Sequence, residues 1–516
     1  MLRPAWSPWL VMVALVVLAA AVHANTLFNG FVYDDENQVL RNPWITDTAH
    51  LRTIFSSHVW GFIDIGRTNY YRPLMHVAYM AVWHLAGFDA WAYHLLNVLL
   101  HVVATALVFR VMFRLLGNEH LVWAALASAL FAVHPVHVEA VAWVAGLPEL
   151  MFSVLALTTL LLYARAVRVR SVPFVVATLG FALATLCKET ALMIPAALVL
   201  WDVTVVRRPA RETVLRMGPF VVVTVMYLVV RVGVMGSFAP TQLVQSMGPV
   251  EKVLSVVVLL AKHLWMVVVP HPLSVIHVMP APTGAPVVLA FLVVGAYVGA
   301  LVLAWRRNRT VFLGLAWVTV FLLPALYAPV LGEYPFAERY LYLPSFGLAV
   351  LVGWMGSHLA QRRGFVAGVV AAVVLVFSVS SFQRNKVWKD DVALWKDAAE
   401  KAPTSHFANS KVAAIYRRDG NDEMALMHLQ LAVADKPNYP ELHFNIGNIH
   451  AGAERWPEAA ASYERALELN PRMEPAHNNL GIVYRRMGRE EDAQRHLREA
   501  QQLQPATSPW RSVSGN

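Results

Sequence analysis

The sequence is poor in charge and almost free of cysteine. One residue of 516 is a cysteine, Cys187, which excludes a disulfide framework and a thiolate zinc cluster. Charged residues make up 15% and hydrophobic ones 57%. A soluble globular chain is nearer a quarter charged and half apolar, so this balance excludes a single soluble domain and intrinsic disorder. Only 15 acidic residues precede Gln383, against 24 basic ones, while 18 of each follow from there. The whole net charge of +9 therefore belongs to the apolar part. A basic apolar region reads as a membrane domain with cytoplasmic arginines, not as a nucleic-acid surface. No P-loop, dinucleotide-binding glycine pattern, GxSxG, CxxC or HExxH occurs in a supporting context. Nucleotide hydrolysis and hydride transfer thus have no support.

What is present is a series of apolar runs. Trp9–Ala24 reads as an uncleaved first helix, since no small-x-small cleavage site closes it. Further spans are expected over Ala92–Phe113, Leu121–Val133, Glu149–Tyr163, Val172–Cys187, Ala191–Val206, Val214–Val230, Pro286–Leu303, Val311–Ala328, Leu341–His358 and Phe365–Phe382. Arg3, Arg110/Arg114, Arg165/Arg168/Arg170, Arg207/Arg208/Arg211/Arg216, Arg306/Arg307/Arg309 and Arg362/Arg363 fall on alternate loops, which sets that side as cytoplasmic. A full crossing by Lys252–Val269 would break the alternation, so that stretch reads as re-entrant or interfacial. The expectation is about eleven crossings, with the N-terminus inside and the C-terminus outside.

The tail repeats itself. Val412-Ala413-x-x-Tyr416, Ala425, Leu429, Ala432 and Pro437 recur at Ile446-Gly447-x-x-His450, Ala459, Tyr463, Ala466 and Pro471. They recur again at Leu480-Gly481-x-x-Tyr484, Ala493, Leu497, Ala500 and Pro505. A period near 34 with small residues where helices touch is the tetratricopeptide signature, and such arrays bind peptides or proteins. The expected fold is all-α: a polytopic membrane domain over 1–383, with a first outer loop at 28–91, and a tetratricopeptide solenoid over 384–510. Within the solenoid, a half-repeat at 390–405 precedes repeats at 406–439, 440–473 and 474–507.

Ionisable residues inside such apolar sequence are functional candidates by default. Asp34-Asp35 follows the first helix on the outer side. Adjacent carboxylates repel, and one could serve as general base on an acceptor hydroxyl while the other positions it; a solvated turn is the plain alternative. Arg72, before a rigid proline in Tyr70-Tyr71-Arg72-Pro73, could grip a phosphate. His134 and His137 could bind phosphate oxygens, with Glu139 at a helix start; no i, i+4 chelating pair makes them a zinc site. Lys188-Glu189 breaks an apolar stretch as a charged turn or a paired site. Arg339, beside Glu338, is a basic residue at an outer helix entrance.

The stretches FVYDDENQVLRNPWI, YYRPL, HLLNVLLH, LFAVHPVHVEAVAWVAGLPEL, CKET and AERYLYLPS, followed by the repeats, resemble the transmembrane and tetratricopeptide-repeat-containing O-mannosyltransferases, within the wider GT-C glycosyltransferases. The resemblance covers nearly the whole chain. It implies a GT-C fold, an active site on the outer leaflet side, a polyprenyl-phosphate sugar donor with mannose or another hexose, and a protein Ser/Thr acceptor. Asp34 then matches the base and Asp35 its neighbour. Arg72, His134, His137, Lys188 and Arg339 are implied on the donor phosphate side, with Glu139, Glu189 and Glu338 supporting. No cofactor is required, although a divalent cation (Mg or Mn) is compatible. The setting implied is a bacterial inner membrane, with the first loop and the repeats outside. Leu273-Ser274-Val275-Ile276-His277 lacks the acidic residue common there in the family, and Gly146-Leu147 stands where Gly-Arg is common; both bear on donor preference. A lipid or glycan acceptor, a lipid-linked-sugar flippase and a non-catalytic membrane scaffold remain the rival readings.

Overall fold

The computed structural model describes residues 7–63, 70–236, 248–280, 282–326, 333–358 and 363–503. Arg3, Arg362, Pro505, most of the loop from 233 to 249 and part of that from 329 to 340 lie outside them. Among the described residues every regular element is helical. The chain divides into two compact units, residues 1–394 and 395–516. The sequence-based boundary after 383 falls inside a helix that ends at Asn385.

In the first unit the helices are α1 (Pro8–His23), α2 (Leu51–Ser56), α3 (Pro73–Ala86), α4 (Ala90–Leu116), α5 (Leu121–Ala132), α6 (Val138–Ala142), α7 (Leu147–Arg165) and α8 (Val172–Cys187). They continue as α9 (Ile194–Trp201), α10 (Ala210–Met235), α11 (Pro249–Val268), α12 (Gly284–Arg307), α13 (Arg309–Leu322), α14 (Ser345–His358) and α15 (Arg363–Asn385). Prolines open α1, α3 and α11, where a missing N–H costs nothing. Asn308 alone separates α12 from α13, its Oδ1 accepting the Thr310 and Val311 N–H groups at 3.0 Å each.

Among the described residues, helix runs through most of each of the eleven expected spans; Tyr327 and Ala328, the end of one, lie outside them. Eight of the described helices are long and apolar enough to cross a bilayer, and nine are if the bent pair Asn118–Ala132 and Pro135–Ala142 forms one broken span. The expected count also includes α8, with 16 residues, and α14, with 14. Both fall short of the ~20 residues of a straight span. α11 bears Glu251, Lys252 and Lys262 and is not among the eight.

The bundle has two chemically distinct ends. At one, the Arg114 guanidinium donates to Ala164 O (2.7 Å), Arg216 to Ala166 O (3.0 Å) and Arg208 to Asp202 (3.0 Å), which also accepts from the Tyr163 hydroxyl. At the other gather the breaks around residues 30–42, 134–146 and 336–345. α7 runs from one end to the other, about 28 Å at 1.5 Å per residue.

Beyond α16 (Asp391–Lys401), the second unit holds three helix pairs: α17 (His406–Arg418) with α18 (Asp422–Asp435), α19 (Pro440–Gly452) with α20 (Trp456–Leu469), and α21 (Glu474–Arg486) with α22 (Glu490–Leu503). A Cβ on Gly447 would lie 2.6 Å from the Tyr463 ring, so only glycine allows this approach. The fourth position of each repeat ties it to the one before. Asn409, His443 and His477 donate to the carbonyls of Pro403, Pro437 and Pro471 at 2.8, 2.8 and 3.0 Å.

Candidate active site

The first loop separates its two aspartates. Asp35 is wholly buried and accepts the Val32 N–H (3.1 Å) and the Ala145 N–H (2.8 Å), which ties the loop to the turn before α7. Burial pushes its pKa well above the carboxylate range, against the pull of those two amides. Asp34 is only half-buried. Its carbonyl accepts the Asn37 and Gln38 N–H groups, so the chain turns helical immediately after it. Tyr33, just before, sits in the left-handed region (φ 58°), with its ring stacked on Trp143 at 5.5 Å. Burial first, and then the Asp34 carboxylate, push the Tyr33 phenol above its ordinary pKa.

Three cations converge here, each on its own carboxylate. Arg72 grips Glu189 with two hydrogen bonds, Nε to Oε2 at 3.1 Å and Nη2 to Oε1 at 2.5 Å. Arg339 donates its main-chain N–H to Glu139 Oε2 (2.9 Å) and its guanidinium to Oε1. Lys188 pairs with Glu149, both buried. Lys188 and Glu189 are therefore not partners of each other. Two phenols fill the space between the pairs. The Tyr340 ring has Lys188 Nζ at 5.1 Å and Arg339 Cζ at 5.0 Å, and the Tyr70 ring has Arg72 Cζ at 4.3 Å. The Tyr70 pKa is pushed up to about 12, first by the facing Tyr340 and then by burial. Burial alone would lower the Arg72 and Arg339 pKa values, but Glu189 and Glu139 outweigh it and raise both. Arg231, late in α10 and near Glu189, adds a fourth cation, its Nη1 3.5 Å from the Tyr227 hydroxyl.

The histidines lie deeper. His134 is enclosed, its Nε2 donating to Val267 O at 3.0 Å, and His137 Nε2 lies 2.8 Å from the Ser345 hydroxyl. Both rings are buried; His134 Nδ1 accepts the Val136 N–H at 3.4 Å, and His137 Nδ1 has no hydrogen-bond partner among the described residues. Glu338 turns away from Arg339: its Oε1 accepts the Ser274 N–H (2.5 Å) and the His277 Nε2–H (3.0 Å). Where the family commonly has an acidic residue, this chain thus supplies His277, paired with an acid from elsewhere.

All ten sequence candidates gather at this end of the bundle. Sequence reasoning missed Glu149, Tyr70, Tyr340, Trp143 and His277 as partners. Glu149 carried a signal, an acid opening an apolar span; the aromatics carried none beyond their neighbours. Among the described residues no group of three or more His, Cys, Asp or Glu converges as a metal site requires. Asp34 is the only carboxylate of its pair that solvent reaches, so the residues present do not fit a bound Mg or Mn. In the repeat unit, a separate concavity is lined by Lys396, Asn409, Tyr416, His428 and Leu431.

Comparison with known proteins agrees with the resemblance. Residues 72–235 match the family described as dolichyl-phosphate-mannose-protein mannosyltransferase, and residues 440–506 match a tetratricopeptide repeat family. The mouse protein O-mannosyl-transferase TMTC3 is 27% identical over 95% of this chain and 59% of its own length. The Drosophila Tmtc2 protein O-mannosyl-transferase is 39% identical over 36% of this chain and 21% of its own. A solved structure of ArnT from Cupriavidus metallidurans, bound to undecaprenyl phosphate, aligns at a TM-score of 0.41 and 16% identity over 87% of this chain and 80% of that one, a likeness too slight to carry weight. The chain spans about 59% of the length of TMTC3. In its membrane part and its repeats alike, this integral membrane protein resembles the tetratricopeptide-repeat-containing protein O-mannosyl-transferases.

Proposed function

We propose that the protein transfers a hexose, mannose being the first choice, from a polyprenyl-phosphate donor to a Ser/Thr hydroxyl of a protein on the non-cytoplasmic side. One observation carries the reading. A solvent-reached carboxylate, Asp34, stands beside a set of arginines and a lysine whose charges are already matched. Arg72, Lys188 and Arg339 face Glu189, Glu149 and Glu139, and Arg231 lies near Glu189 as well. A site so nearly balanced suits the single charge of a phosphodiester. The further charge of a pyrophosphate or nucleotide would have to share these same cations.

Asp34 takes the proton of the acceptor hydroxyl, and that oxygen attacks the anomeric carbon. The bond from the anomeric carbon to the phosphate oxygen breaks, and polyprenyl phosphate leaves with inversion. Remaining N–H groups of Arg72 and Arg339 meet the phosphate. Asp35, with both oxygens held by backbone amides, is a positioning residue for the loop. The enclosed His134 and His137 pack the floor. No step is routed through a metal. The repeats recruit the acceptor polypeptide. A mere scaffold would have no use for this many buried, matched charges, each of which is expensive in a membrane protein.

Purified Asp34→Asn assayed with a polyprenyl-phosphate mannose and a Ser/Thr peptide tests the reading. Loss of a general base lowers the rate ~10²–10⁴-fold with the fold kept. Wild-type turnover in that variant would remove the catalytic role and restore the scaffold. A reporter active only in the cytoplasm, fused after Asn516, should stay silent if the site end faces outward.

A further inference from the structure

From sequence, residues beyond 383 belong to the repeats, yet the segment 385–391 lies along the first loop. The Asn385 side chain donates to Val22 O (2.9 Å) and Asn25 Oδ1 (2.8 Å), and its carbonyl accepts from Asn29 Nδ2 (3.1 Å). The Gly30 N–H donates to Lys389 O at 2.9 Å. Trp388, fully buried, packs on Trp143 at 5.9 Å, and Trp143 in turn stacks on Tyr33. The last contact is the nearest to the chemistry: the Tyr33 N–H donates to Asp391 Oδ1 at 2.9 Å.

We infer that Asp391 is a positioning residue for Asp34, holding the backbone turn that aims the neighbouring carboxylate at the acceptor. The inference rests on the reading of Asp34 as base. Tyr33 adopts φ 58°, a conformation that a bulky L residue keeps only where its surroundings fix it. The Asp391 carboxylate holds the amide of that same residue. Helix capping does not account for Asp391, because α16 is capped by its neighbour. Asp390 Oδ1 accepts the Ala393 N–H at 2.8 Å, and the Asp390 carbonyl accepts the Leu394 N–H. The two adjacent aspartates thus divide the work, one closing the helix and the other reaching back to the loop. Without Asp391, Tyr33 can relax to negative φ, which rotates the following peptide and carries Asp34 off its line.

The test uses the full chain in nanodiscs, with hydrogen exchange over residues 28–40 alongside kcat and KM for a polyprenyl-phosphate mannose and a Ser/Thr peptide. Asp391→Ala should speed exchange in that segment and lower kcat ~10–100-fold, the scale of a misplaced catalytic group, with the donor KM within about twofold. Asp391→Asn keeps an acceptor oxygen and should recover most of both. Asp390→Ala should fray α16 and leave both readouts near wild type. Unchanged exchange and kcat in Asp391→Ala would overturn the inference, as would equal losses in Asp390→Ala, which would make the effect one of helix fraying. If the wild type transfers no sugar, the reading of Asp34 falls, and with it the catalytic half of the inference. The exchange data then still decide whether Asp391 holds the loop.

Discussion

The Lys188–Glu149 pair separates packing from chemistry. The side chains are 6% and 3% exposed, so neither charge is hydrated. Changing Lys188 to Met leaves Glu149 buried without its cation, and breaking a buried pair in this way costs about 3–5 kcal/mol. Glu149→Leu should cost a similar amount, because it strands the ammonium. Replacing both removes the desolvation penalty together with the attraction, and apolar replacements of buried pairs are often neutral or stabilising. The double variant should therefore stand within about 1–2 kcal/mol of wild type, a recovery that neither single change permits. Chemical denaturation of detergent-solubilised protein, followed by tryptophan fluorescence, measures all four corners of the cycle. The same samples then answer a second question. If Lys188 also meets the donor phosphate, the double variant will be stable yet bind polyprenyl phosphate ~10–100-fold more weakly, the worth of a lost charged hydrogen bond. A cost below about 1 kcal/mol for Lys188→Met would refute the buried-pair reasoning, as would a double variant no more stable than the singles.

Asp35→Asn places an amide nitrogen against one of the two backbone N–H groups that its oxygens accept, and should cost about 1–3 kcal/mol. Because the folded pKa of Asp35 is raised, its favourable share of stability is present below the unfolded value and is lost as pH rises through the folded one. The wild-type advantage over Asp35→Asn should therefore shrink between denaturation curves taken at acidic and at alkaline pH. Gly146→Ala puts a Cβ 2.4 Å from Ala140 O, so the turn must move and take the Ala145 N–H away from Asp35. A loss of about 1–3 kcal/mol in the same denaturation assay, together with a lower kcat, is expected.

The helices and repeats were legible because they rest on local patterns. Apolar runs between arginine loops gave each span, and a period of 34 gave each helix pair. The partners were not legible, since they are set by packing between segments far apart in the chain. Lys188 meets a residue 39 positions away, Arg72 one 117 away and Arg339 one 200 away. Spacing also did not show how deep the histidines lie. His134-x-x-His137 at a helix start looks like an anion site, but α11 and α14 close over both rings. A sequence shows that a polar residue sits in an apolar run, and not whether its neighbours leave it a path to solvent.

What spacing did mark is three charged doublets at breaks between helices, Asp34-Asp35, Lys188-Glu189 and Glu338-Arg339, and the structure adds a fourth, Asp390-Asp391. In a solvated turn, both members of such a doublet would face water. Here each doublet divides. Asp35 goes inward to amides while Asp34 stays at the surface. Lys188 takes Glu149 while Glu189 takes Arg72. Glu338 holds His277 while Arg339 takes Glu139. Asp390 caps α16 while Asp391 reaches the Tyr33 amide. The backbone supplies a reason at one of them: Lys188 is extended (φ −158°, ψ 138°), and successive side chains on an extended chain point to opposite sides. Two adjacent charges at a helix break can therefore serve two separate partners with no intervening residue. In an apolar chain that can support few ionisable groups, this lets a short break both anchor itself and present a group to the site.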